Sequence, residues 1–404
     1  MTRTQGLRRL RADVLGLALG LVAILLGVLG TTGAAAKAPS TAMRGMWIAG
    51  VKNIDWPSKP GLSAAAQQDE YRKLLDQAVA NRLNAVFVQV RPTADAFWPS
   101  PLEPWSHWLT GRQGQDPGYD PLRFVIDETH KRGLQFHAWF NPYRISMTDD
   151  PQALVPEHPA RKHPEWTFAY GGKLYYDPGV PQARAFVTDA IMNAVENYDV
   201  DGVHLDDYFY PYPVKGQQIP DERTFAEHGK GFADIADWRR HNVDQLVSGL
   251  DARVHQAKPD AAFGVSPFGI WRNAASDPAG SDTKGLESYS AIYADTRKWV
   301  REGWVDYIAP QVYWQIGHPA ADYAALIPWW SKTVSGTGVD LYIGQAAYRV
   351  GNEGWTDPGE LSAHLSLNSR HRGVRGDIYF SAKSLNTNAA EAMARVVREH
   401  YADH

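Results

Sequence analysis

The sequence predicts an α/β fold in which eight strand–helix units close into a (β/α)8 barrel. Three observations carry that prediction. Eight strand-like runs alternate with amphipathic helical stretches. The turns entering the strands are short while several connections leaving them are long. No glycine-rich turn follows the first strand, as an open doubly wound sheet would require.

Residues 1–36 stand before the fold. Arg3, Arg8, Arg9 and Arg11 precede an apolar run over 14–29, and Ala34, Ala35 and Ala36 follow it. A basic start, a short apolar run and small residues make up a secretory signal peptide, so the chain is expected to be exported, periplasmic or secreted. Left uncleaved, the same run would be an N-terminal membrane anchor, being only slightly short of a span. Cleaved, it leaves no stable membrane insertion. Residues 37–43 read as a linker and 44–404 as a single TIM-barrel domain.

Within that domain strands are expected over 44–51, 84–92, 134–143, 201–210, 262–271, 305–314, 341–348 and 377–384. Apolar spacing near 3.6 residues places helices over 69–82, 122–132, 182–198, 238–256, 289–302, 322–334, 358–371 and 389–401. The connections after strands two to five run to about 30, 38, 20 and 17 residues, far above the usual loop length. Barrel active sites are built from those loops. They carry Trp98, Trp105, Trp108, Trp166, Tyr170, Tyr175 and Tyr176, flat rings with a polar edge that suit the faces of sugars.

Composition narrows the function. A net charge of −4 with both signs mixed offers no footprint for nucleic acid. With no cysteine there is no disulfide, thiolate nucleophile, lipid-modified cysteine or cysteine-bound metal. The 15 tryptophans and 19 tyrosines are compatible with carbohydrate binding as well as with a large core.

The fourth strand carries the chemistry, in the run Asp201-Gly202-Val203-His204-Leu205-Asp206-Asp207-Tyr208. Strand alternation points His204 and Asp206 into the barrel and Val203 and Leu205 towards the helices. A carboxylate aimed into a barrel is costly unless it is paired, hydrogen-bonded or bound to a ligand, so Asp206 and Asp207 are the candidate catalytic residues. Glycosidases use two carboxyl groups, and some hydrolases of N-acetylated sugars recruit the substrate's own acetamido oxygen as nucleophile. Adjacent aspartates suit the second scheme. In the alternative, Asp206 attacks directly and a loop acid donates the proton, from among Glu103, Glu165, Glu222 and Glu287. Other polar residues at strand ends are the candidate ligand contacts: Gln89, Arg91, His137, Trp139, Asn141, Tyr143, Arg144, His204, Tyr208, Gln311, Tyr313, Trp314 and Tyr348. His137 and His204 with the aspartates suggest a metal-dependent hydrolase as a rival reading. Against it, no His-x-His pair ends the first strand, and no metal or other cofactor is expected.

The runs Arg44-Gly45-Met46-Trp47, Asn84 to Arg91, His137 to Arg144, Asp201 to Tyr208 and Ala309 to Trp314 together resemble the glycosyl hydrolase-like 10 family of bacterial envelope proteins. The resemblance spans roughly 44–385. It implies a glycosidase-type barrel and, for part of that family, action on the glycan strands of peptidoglycan. The fourth strand is also similar to that of the α-amylase superfamily, but His204 replaces its arginine and Ser266-Pro267-Phe268 offers no glutamate at the end of the fifth strand. The expected function is a glycoside hydrolase of an N-acetylated cell-wall glycan. The alternative is a glycan-binding barrel without catalysis.

Overall fold

The computed structural model describes residues 42–352 and 354–401. The expected signal segment and all but the last two residues of the expected linker lie outside the described residues. Ala42–His404 forms one compact unit. Eight parallel strands close on themselves: β1 (Met43–Ile48), β2 (Ala85–Arg91), β3 (Gln135–Phe140), β4 (Gly202–Leu205), β5 (Ala262–Val265), β6 (Tyr307–Ile308), β7 (Asp340–Gln345) and β8 (Val374–Tyr379). β1 pairs with both β2 and β8, which completes the ring. The main crossover helices are Ala64–Ala80, Pro121–His130, Pro181–Asn197, Ile235–Ala257, Thr296–Glu302, Tyr323–Val334, Glu360–Asn368 and Ala390–His400. Among the described residues no helix is long and apolar enough to cross a membrane.

Four expectations about the elements are corrected. The first helix begins at Ala64 rather than 69, because Ser63 caps it through the N–H of Ala66 and its Ala/Gln first turn carries no apolar rhythm. The helix expected over 289–302 is two pieces, Ser288–Ala291 and Thr296–Glu302. Tyr293 between them takes a left-handed φ of 58° and Asp295 caps the second piece. β1 starts at Met43, inside the expected linker. β4, β5 and β6 end well before 210, 271 and 314, so the residues after them leave the ladder and turn over the barrel mouth.

Two apolar layers result. Aliphatic residues such as Val203, Leu205, Val86 and Val88 face the helices in the larger cluster. The barrel interior is filled instead by Met43, Trp47, Phe87, Trp139, Tyr307, Tyr342 and Ile378 with small alanines. Glycines make room for those rings. A Cβ on Gly202 would lie 2.2 Å from the His137 ring, and one on Gly264 would lie 2.2 Å from the Tyr307 ring. This aromatic floor sits beneath the mouth where the strand-to-helix loops converge. The longest loop, after β3, folds into its own antiparallel sheet of Arg144–Ser146, Thr167–Tyr170 and Lys173–Tyr176.

Candidate active site

A cavity of about 380 Å³ opens at the C-terminal mouth of the barrel, with residues from or just after every strand in its wall. Trp47 comes from β1, Gln89 from β2, Trp139 from β3 and the two aspartates from the end of β4. Ser266, Gln311, Tyr313, Tyr348 and Phe380 follow β5 to β8. The sheet inserted after β3 adds Arg144 and Lys173, and the loop after β1 adds Lys52. Among the described residues, Asp206 and Asp207 are the only carboxylates in this wall.

Each aspartate is held by its own set of donors. The N–H groups of Gly50 and Val51 donate to Gln89 Oε1, at 3.0 and 2.9 Å, which turns the Gln89 amide nitrogen towards Asn141 Oδ1. Asn141 Nδ2 in turn donates to Asp206 Oδ2 at 2.6 Å, and the N–H of Tyr208 donates to Asp206 Oδ1 at 3.1 Å. Asp207 receives Gln311 Nε2 at 2.9 Å on one oxygen and the hydroxyl of Tyr212 on the other. Burial raises both carboxyl groups above the usual range. The negative charge of Asp207 pushes Asp206 further, to about 7, while the Tyr212 and Gln311 donors pull Asp207 back down. The two therefore titrate as a pair, and a charge on Asp207 favours keeping the proton on Asp206.

Around this pair the wall has polar atoms left to offer. Trp139 Nε1 and Ser266 Oγ are buried without a protein partner. Tyr348 is 41% exposed and meets Tyr313 edge-on at 5.8 Å between ring centres. Arg144 is anchored by two donations to the carbonyl of Pro92 and lies over the Tyr208 ring at 4.9 Å. Buried hydrogen-bonding atoms without partners are costly in a folded chain, and these two, being in the cavity wall, are available to a bound ligand.

Of the residues expected to contact a ligand, Gln89, Trp139, Arg144, Tyr208, Gln311, Tyr313 and Tyr348 lie in the wall. Six do not, and their surroundings explain why. Arg91 is fully buried in a forked ion pair with Glu103 and also donates to the carbonyls of Asn141 and Pro142. Asn141 stands behind Asp206. His137 is stacked on Phe87 at 4.4 Å, and burial lowers it to about 4, so it is a neutral part of the floor. His204 accepts from Trp47 Nε1 at 3.0 Å, which fixes its other nitrogen as the donor to the Tyr307 hydroxyl at 2.9 Å. Both ring nitrogens are thus engaged, and His204 has no lone pair for a metal. Tyr143 is wholly buried, and Trp314 packs edge-on against Phe268 outside the cavity wall.

The loop residues are corrected in the same way. None of the seven loop aromatics lines the cavity: Trp98, Tyr170, Tyr175 and Tyr176 are core, and Trp105, Trp108 and Trp166 pack against it. None of the four loop glutamates does so either. Glu103 pairs with Arg91, Glu165 meets His163 at the surface, Glu222 opens a short surface helix, and Glu287 braces Asn273. Among the described residues no group of three or more histidines and carboxylates is arranged to hold a metal ion. Sequence reasoning missed Trp47, Ser266, Tyr212, Lys52, Lys173 and Phe380. Trp47 was legible as an inward β1 residue. Ser266 and Phe380 were legible too, two residues beyond inward-facing Gly264 and Ile378, whereas Tyr212, Lys52 and Lys173 sit on connections whose path no periodicity reveals.

A parallel barrel with paired carboxylates at its C-terminal mouth defines the general class of glycosidase-type barrels. The chain belongs to the glycosyl hydrolase-like 10 family, whose model matches residues 42–359. It is 55% identical to glycosyl hydrolase YngK of Bacillus subtilis over 86% of this chain and 69% of that protein. To glycosyl hydrolase DigH of Escherichia coli K12 it is 41% identical, over 88% of each chain. Among solved structures, the glycoside hydrolase domain of PgaB (BpsB) from Bordetella bronchiseptica superposes with a TM-score of 0.57 at 14% identity. That match covers 87% of this chain and 98% of the domain, and it speaks to the fold alone.

Proposed function

We propose that the protein is a glycosidase that hydrolyses bonds beside N-acetylated sugars in the bacterial cell-wall glycan, acting outside the cytoplasm. The observation that carries this reading is the cavity's single pair of carboxyl groups, adjacent in sequence and each held by its own hydrogen-bond donors. Family membership and the basic-apolar leader of the sequence support it.

Chemistry follows from the division of charge. Asp206 gives its proton to the leaving glycosidic oxygen as the bond from C1 breaks. The acetamido carbonyl oxygen of the same sugar forms the new bond to C1, and Asp207 accepts the acetamido N–H proton, leaving a neutral oxazoline. Water then attacks C1 and gives a proton to Asp206, while Asp207 returns its proton to the ring nitrogen as the acetamide reforms. One water is consumed and both aspartates end as they began. No cofactor enters these steps.

Product analysis by mass spectrometry tests the reading. Peptide-free glycan strands, intact sacculi and chitin oligomers would each be incubated with the wild-type protein and with Asp206→Asn. Release of reducing oligosaccharides is expected from the wild type, at least ~100-fold faster than from the variant, the scale of a lost general acid. Full activity in Asp206→Asn overturns the mechanism. Retention on glycan without any product would instead make the barrel a binding module.

A further inference from the structure

At the end of the barrel opposite the cavity, positive charge gathers on one side. There the helix Tyr323–Val334 leads into β7 and the helix Glu360–Asn368 leads into β8. The second connection reads Arg370-His371-Arg372-Gly373-Val374-Arg375. Arg370, Arg372 and Arg375 are exposed, as is Lys332 at the end of the first helix. Among the described residues none of these four forms an ion pair with a carboxylate. Arg372 and Arg375 wall a groove of about 380 Å³ with Ser331 and Ser335, and Asp340 is the only carboxylate in that wall among the described residues. The corresponding stretches entering β4, β5 and β6 carry Asp199, Asp201, Asp260, Glu302 and Asp306 against Lys258 and Arg301. The cationic sector is therefore confined to the side formed by β7, β8 and β1.

The chain enters the barrel inside that sector. Met43 pairs with Gly376, and a Cβ on Gly376 would lie 2.1 Å from the Met43 carbonyl oxygen, so Arg375 flanks the point where residues 1–41 join the fold. Those residues include the apolar run over 14–29. Extended, residues 30–42 span at most ~45 Å, so a bilayer holding that run would be within reach of this end. We propose that this end of the barrel docks on an anionic phospholipid surface through Lys332, Arg370, Arg372 and Arg375, with the cavity mouth directed away from the membrane. Two guanidinium forks beside two hydroxyls suit a phosphodiester headgroup, and exposed cations next to a membrane-bound segment add attraction one by one. Docking of this kind serves a hydrolase and a glycan-binding module alike.

The chain contains no cysteine, so a single introduced thiol reports on a single place. Full-length protein would carry a fluorophore at Ser369→Cys, beside the arginines, or at Lys215→Cys, on the loop after β4 at the mouth, both exposed positions. Each would be mixed with vesicles bearing nitroxide-labelled headgroups. On phosphatidylcholine containing about one-third phosphatidylglycerol, the Ser369 label is expected to be quenched at low salt and to recover at ~0.5 M salt. It should stay bright on pure phosphatidylcholine, and the Lys215 label should stay bright throughout. Arg372→Gln with Arg375→Gln should reduce the ratio of docked to undocked protein on the order of 10- to 25-fold. Both arginines are exposed, so the folded state is expected to survive, with circular dichroism as the check. Equal quenching on neutral and anionic vesicles, or of the two labels, overturns the proposal. Full release by inorganic phosphate at constant ionic strength would make the groove a site for a free anion and overturns it as well. Charge-dependent quenching in a protein that releases no glycan product sustains the docking and defeats only the glycosidase reading.

Discussion

Asp206 and Asp207 are one peptide bond apart and chemically identical, yet their neighbours divide them. Asp207 receives a phenol and an amide, whereas Asp206 receives an amide and one backbone N–H while facing its partner's charge. The pH profile follows with a definite sign. Asp206 must be protonated to act as acid, so turnover should decline as pH rises through about 7. Asp207 must be ionised, so turnover should also decline in acid, giving a bell-shaped profile that belongs to the pair. Tyr212→Phe removes a donor that lowers Asp207. Its acid limb should therefore move to higher pH, with turnover near neutrality falling about tenfold, the scale of one hydrogen bond to a charged group. A pH–rate profile identical to wild type would show that Tyr212 does not position the pair.

At the scale of elements, the loop after β2 is tied to the barrel by charge. Arg91 and Glu103 are both fully buried, and Arg91 also holds the carbonyl of Asn141, whose side chain holds Asp206. Cutting Glu103 back to alanine strands a guanidinium in the interior. Glu103→Ala is expected to lose about 3–5 kcal/mol in urea unfolding, whereas Arg91→Met with Glu103→Leu should recover much of that loss. A single variant as stable as wild type would mean that the loop does not depend on this pair. Arg91 also shows where sequence reading stops at this scale. Its place on an inward strand face was legible, but whether it met a ligand or a loop glutamate twelve positions further on depended on a stretch with no periodicity. The same holds for the loop aromatics, whose residue type suits both sugar faces and a core and whose packing chose the core.

For the whole molecule, a buried polar cluster ties β7 and β8 of the barrel to the helix Glu360–Asn368. Asp377 accepts from Gln345 at 2.7 Å and from Asn368 at 2.8 Å, and Gln345 also meets Tyr323 and His364. Burial raises Asp377 to about 7. In the unfolded chain an aspartate titrates near ~3.9, so between those values the folded state binds the extra proton. This contribution to stability is full below the unfolded value, falls as pH rises through the window and is gone above about 7. Asp377→Asn keeps an acceptor for Gln345 and Asn368 but cannot ionise. Relative to this variant, the wild-type Tm should therefore drop between pH 5 and pH 8. A gap between the two that stays constant over that range would mean that Asp377 is not linked to folding in this way.

What the sequence determined by itself is the repeating part of the molecule. Alternation at a period of two and apolar spacing near 3.6 are local properties, so the eight strand–helix units were legible, as was the inward face holding Gln89, Trp139, His204 and Asp206. Element ends were less so, because caps such as Ser63 and Asp295 act through single side chains. Tertiary structure alone decided which inward residues reach the cavity and which lie beneath it. His204 and Asp206 share a strand face, but the first falls at the level of Trp47 and Tyr307 and the second at the rim. It also decided that Tyr212, Lys52 and Lys173 join the site, since loops over a barrel mouth are placed by contacts between segments far apart in the chain. Such contacts leave no periodic trace in the sequence, because the energy that fixes them comes from closing the barrel rather than from any one stretch of it.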